Sequence, residues 1–131
     1  PHTTILDEVS TPGIATMDLK RELMRGAGPA AVLQLLKRRE MYGYELAEAL
    51  GARSDGVLAM GQSTLYPLLY NLEAKELVES RWLEHKSGRK RRYYRLTSAG
   101  AAELKEHRAR WQELFEAMIG LGLVSPIAAE S

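Results

Sequence analysis

The cleanest pattern in the chain is the spacing of Leu65, Leu68, Leu69 and Leu72 at i, i+3, i+4 and i+7. It predicts a helix with one apolar stripe turned to a core. The opposite face carries Gln62, Ser63, Thr64, Tyr66, Tyr70 and Asn71, polar and aromatic but not highly charged. Ser63 is a candidate cap, and Pro67 falls within or just past the first turn, where a missing amide is tolerable. Upstream, Gly43, Leu46, Ala47 and Leu50 repeat the same spacing and stop at Gly51. Before that, Pro29 opens a segment whose Val32, Leu33, Leu35 and Leu36 form a broad apolar face, with Lys37 to Arg39 at its negative end. A further short helix is expected from Thr16 as N-cap to Gly26 as stop, with Leu19 and Leu23 one turn apart. Residues 1–16 show no period and read as a flexible extension or an appended remnant.

From Val78 the period changes to two. Val78, Ser80 and Trp82 alternate with Glu79, Arg81 and Leu83, and after Ser87-Gly88 the run Arg92-Tyr93-Tyr94-Arg95-Leu96 returns. This is the signature of a β-hairpin. Val57 to Met60, in the loop after Gly51, is expected as a short edge strand. Thr97 then caps a last helix reaching about Leu121, in which Leu104, Trp111 and Met118 recur by sevens beside Leu114 and Phe115. At 1.5 Å per residue it runs about 40 Å, which overhangs so small a domain. Leu104, Trp111, Leu114, Phe115 and Met118 are therefore the candidate dimerisation residues. The fold class expected is mainly α with a small β-hairpin. A winged helix-turn-helix over 17–96 is followed by a dimerisation helix over 97–122 and a flexible tail over 123–131.

Charge sharpens this picture. Lys and Arg number 18 against 17 Asp and Glu, a balance that says nothing of partners. Yet Lys86, Arg89, Lys90, Arg91, Arg92 and Arg95 lie within ten positions that hold no acid, leaving 12 basic against 17 acidic elsewhere. The hairpin's tip and return strand are thus one positive patch, suited to phosphates or simply a solvated basic loop. No cysteine is present, no apolar run is long enough to cross a membrane, and residues 1–16 lack the pattern of a secretory signal. A cytoplasmic protein without membrane association is expected.

Enzymatic chemistry finds no footing. The run Gly26-Ala-Gly28-Pro-Ala-Ala31 has dinucleotide-fingerprint spacing but follows no strand. Gly61-Gln-Ser63 starts like a nucleophile elbow, but Leu65 stands where the closing glycine belongs. His2, His85 and His107 are too far apart for a ligand set, so neither a metal nor a cofactor is expected.

Three short helices, a basic-tipped hairpin and a long amphipathic helix suit a DNA reader in which the third helix enters the major groove. Ser63, Thr64 and Tyr66 offer hydroxyls at a helix start whose amides favour phosphate. Capping is the alternative role for Ser63, and half-buried packing for Tyr66 and Tyr70. A winged module that docks on an acidic protein is the alternative for the whole chain.

In order, the chain carries PAAVLQLLKRREMYGYELAEAL, MGQSTLYPLLYNLEAKELVES and GRKRRYYRLTSAG, then the helix bearing Trp111. From about Pro29 to Leu121 it resembles the PadR family of transcriptional regulators, in the compact form with one short last helix. The resemblance implies a homodimer, usually a repressor, on a pseudo-palindromic double-stranded DNA operator. Ser63, Thr64 and Tyr66 would face the bases, Tyr70 a phosphate, and Arg89, Lys90, Arg91 and Arg92 would form the wing contacts. Some compact relatives hold a flat aromatic effector in the dimer pore on a tryptophan of the last helix. Trp111 is similarly placed and Trp82 is a second candidate, with interface core as the alternative for Trp111.

Overall fold

The computed structural model describes residues 12–126, with side chains from Leu19 onward. Along them run α1 (Pro12–Arg38), β1 (Met41–Tyr42), α2 (Gly43–Arg53), α3 (Gln62–Ala74), β2 (Val78–Glu84), β3 (Lys90–Leu96) and α4 (Ser98–Gly120). The class is mainly α with a small antiparallel sheet of order β1-β3-β2. Residues 1–11 and 127–131, within the stretches expected as extension and tail, lie outside the described residues.

Two helices expected on either side of Gly26–Pro29 are one. Helix α1 starts at Pro12, inside the stretch read as an extension, so Thr16 is not a cap and Gly26 is not a stop. The glycines act through their size. A β-carbon on Gly26 would lie 3.6 Å from the Trp111 indole, and one on Gly28 would lie 3.1 Å from Met60 and 3.6 Å from Leu68. Close packing by α3 and α4 holds the segment helical against its low propensity, and Pro29 costs it one backbone hydrogen bond.

The core joins all the main elements. Val32, Leu33, Leu35 and Leu36 of α1 meet Leu46 and Leu50 of α2, Leu65, Leu69 and Leu72 of α3, Val78, Tyr94 and Leu104. Each such side chain contributes about 1.5–3 kcal/mol when fully buried. Leu104, expected at a dimer interface, is 2% exposed and belongs to this core, because the first half of α4 lies on the domain.

The third strand is not Val57–Met60. That segment turns, with Ser54 Oγ donating to the Leu50 carbonyl at 2.6 Å and accepting from the Leu58 amide at 2.9 Å. Instead Met41 and Tyr42 pair with Tyr94 and Tyr93. The hairpin register sets Val78 opposite Leu96, Ser80 opposite Tyr94, Trp82 opposite Arg92 and Glu84 opposite Lys90. Val78 and Tyr94 are buried, so the even-numbered side chains of both strands share the inner face. The tip turns at Gly88, whose φ of +88° suits glycine. Thr97 caps α4 as expected, its hydroxyl accepting from the Gly100 amide at 2.9 Å and donating to the Glu76 carbonyl at 2.7 Å.

Candidate nucleic-acid interface

Helix α3 presents its first turn to solvent. Its cap is Gly61, whose carbonyl accepts from the Thr64 and Leu65 amides at 3.1 and 2.9 Å. Ser63 therefore stands inside the first turn and does not cap it. Gln62, Ser63 and Thr64 are all exposed, beside the unsatisfied amides of a helix start. The two tyrosines differ. Tyr66 is half-buried and leans on the core, whereas Tyr70 is 53% exposed with its ring 6.2 Å from that of Tyr66.

The wing stands beside this helix. Gln62, Tyr66 and Tyr70 form one wall of a groove of about 600 Å³, and Trp82, Lys90, Arg91 and Arg92 form the other. The start of α2, Tyr42 to Tyr44, closes one side of it. A leucine-backed helix and an arginine-bearing wing thus border one groove.

The wing's cations are not equivalent. Arg92 is tied to the end of α3, with Nη2 donating to Glu73 at 3.1 Å and Nε donating to Ser80 Oγ at 2.9 Å. Ser80 in turn donates to the other Glu73 oxygen at 2.6 Å, which closes a three-residue ring. Arg91 lies over the Tyr42 ring at 5.3 Å, with its Nε buried and without a hydrogen-bond acceptor among the described residues. Arg95 pairs with Glu79 at 2.5 Å. Lys86, Arg89 and Lys90 are exposed and make no ion pair among the described residues. Arg89 sits in the turn at the tip, outside the groove lining.

Two further pairs brace the surroundings. Arg81, on the outer face of the wing, reaches Glu40 in the short link between α1 and β1 with contacts of 2.6 and 3.3 Å. That hydrogen bond holds the Glu40 carboxyl below the usual range. At the groove's edge Tyr44 donates to Glu48 at 2.9 Å, which raises the phenol above its ordinary value. Sequence reasoning read Gly43 only as a position in the helix pattern and missed Glu73 and Tyr44 as parts of the site. Only the parity linking Trp82 to Val78 was available to place Trp82 on the helix-facing side.

The remaining candidates lie elsewhere. Trp111 is half-buried against α1 at Gly26, and Phe115 and Met118 are also half-buried. Leu114 is 49% exposed. Trp82 and Trp111, the two candidate effector residues, line different surfaces. Among the described residues no helix is long and apolar enough to cross a membrane, and no cluster of three His, Asp or Glu could hold a metal.

Comparison with known proteins agrees with this architecture. Residues 32–106 match the model of the transcriptional regulator PadR-like family. Transcriptional regulator Rv3488 of Mycobacterium tuberculosis is 36% identical over 102 residues, covering 76% of this chain and 90% of that protein. The crystal structure of a PadR family transcriptional regulator from Eggerthella lenta is similar with a TM-score of 0.68 and 32% identity, over 94% of this chain and 99% of that one. A PadR-like transcriptional regulator from Bacillus cereus gives 0.70 and 27%, over 76% and 95%. With its winged fold and the family match across the helix-turn-helix and wing, the chain belongs to the PadR-like family of DNA-binding transcriptional regulators.

Proposed function

We propose that this regulator acts as a homodimeric repressor on a pseudo-palindromic operator. One observation carries the reading: the exposed start of α3 and the cations of the wing border a single groove. Gln62, Ser63, Thr64 and Tyr66 are then the base-reading set and Tyr70 a phosphate contact. Arg89, Lys90 and Arg91 neutralise backbone phosphates. Arg92, expected among them, acts through its bonds to Glu73 and Ser80.

Dimerisation finds support in the leucines the protomer leaves uncovered. Leu19 and Leu23 of α1 are 59% and 52% exposed, and Leu114, Leu121 and Leu123 stand open at and beyond the end of α4. A twofold mate burying this face would set two α3 helices about 34 Å apart, one turn of duplex. Release by a small aromatic effector has less support, since Trp111 is already packed on Gly26.

Selection of genomic fragments by the purified full chain tests the reading. Enrichment of a palindrome with half-sites about 10 base pairs apart, and affinity falling steeply with salt, is the expected result. No enriched palindrome would instead favour a winged module that docks on protein.

A further inference from the structure

Trp82 is the largest apolar side chain bordering the groove, and 63% of it is exposed. Its direction is fixed by parity: Val78 of the same strand is buried in the core and Ser80 bonds Glu73 of α3, so Trp82 shares that inner face. Arg92, its cross-strand neighbour, would ordinarily lie over the indole. Here the guanidinium is drawn to Glu73 and Ser80 and sits 5.7 Å from the Tyr94 ring centre. The indole is left largely open, and its N–H meets no acceptor among the described residues.

What would cover such a group must offer apolar C–H surface and an anionic acceptor close together, beside Lys90, which borders the same groove. The sugar–phosphate edge of a duplex does both: deoxyribose faces the ring and a phosphate oxygen takes the N–H. We infer that Trp82 is a DNA-contacting residue, packed on the backbone where the wing meets the duplex. The inference rests on the operator-binding reading above. It moves Trp82 from the effector role to the interface.

The chain has two tryptophans, so Trp111→Phe leaves Trp82 as the sole indole emitter. Operator duplex from the selection is titrated in, with binding followed independently by anisotropy of a dye on the duplex. Trp82 emission should change, and its accessibility to acrylamide fall, in step with anisotropy. Trp82→Ala should weaken binding about tenfold without altering the salt slope, since no charge is lost. Trp82→Phe should recover part of the loss. If Trp111→Phe does not fold, the difference in emission between the wild type and Trp82→Phe supplies the same signal. A rise in anisotropy with Trp82 still fully open to acrylamide, or Trp82→Ala binding like wild type, overturns the inference and leaves operator binding intact. Absence of any duplex binding by the wild-type chain overturns both.

Discussion

The ring of Tyr66 occupies the space that a side chain on Gly43 would need. Its Cζ and Cε1 atoms lie 2.7 and 2.9 Å from where a β-carbon would sit, and Gly43 is buried. The contact locks the start of α2 against the polar side of α3, so it sets the angle between the two helices of the helix-turn-helix. Gly43→Ala should cost about 1–3 kcal/mol, because the phenol end of Tyr66 must swing away from the start of α2 to make room. Tyr66→Ala in the same chain should return much of that loss. A coupling of about 0.5–3 kcal/mol is expected in a double-mutant cycle read by denaturant unfolding. Additive losses would show that the crowding is relieved elsewhere.

Ion pairing divides the wing's cations into two kinds, and salt dependence can tell them apart. Among the described residues Lys90 has no acidic partner, whereas Arg92 is held by Glu73 and Ser80. Lys90→Ala should lower the slope of log affinity against log salt by about 0.9, the value for one phosphate contact. Arg92→Ala should change the slope much less while weakening binding, through loss of the link between wing and α3. Glu73→Gln should move in the same direction by loosening that link. Equal slope changes for Lys90→Ala and Arg92→Ala would mean that Arg92 leaves Glu73 on the duplex.

These distinctions mark where the sequence stops being readable. Helices α2 and α3, the hairpin and the Thr97 cap are written in local periodicity and one capping residue, although α2 runs on to Arg53 past the expected stop at Gly51 and α3 is capped by Gly61 instead of Ser63. Helix α1 is different. Gly26, Gly28 and Pro29 look like a break, and only Trp111, Met60 and Leu68, remote in sequence, turn the glycines into contact points. The two-residue strand β1 is too short to show a period. In the basic run the total charge is visible, but the acids that claim Arg92 and Arg95 are not, since Glu73 and Glu79 lie 19 and 16 positions away. Leu104 shares a heptad with Trp111 and Met118, yet only packing reveals that the core takes it before a partner can.

The link between Glu40 and Arg81 makes a prediction about acid. Because the guanidinium's hydrogen bond holds the folded carboxyl below its usual range, the pair's stabilisation is present above the unfolded value. It is lost as pH falls through the folded one. Thermal midpoints of the wild type and Glu40→Gln should therefore differ most near about pH 6 and converge towards about pH 3. A gap that persists undiminished in acid would mean that the substitution acts through packing.

The uncovered leucines define the last test. Leu19, Leu23, Leu114, Leu121 and Leu123 leave apolar area in water that a twofold mate would remove, at about 25 cal/mol per Å². A carboxylate introduced there would be buried without a partner if the dimer formed, a cost of several kcal/mol. Leu114 serves best, since it is half-exposed in the protomer and its replacement leaves the core untouched. Leu114→Asp should give a folded monomer by light scattering, with an unchanged helical circular dichroism signal. Its operator affinity should fall by orders of magnitude, while a half-site duplex, which needs only one α3 and one wing, should bind it as it binds the wild-type protomer. A Leu114→Asp protein that still dimerises at micromolar concentration would place the subunit contact on another face, and with it the spacing of the two α3 helices.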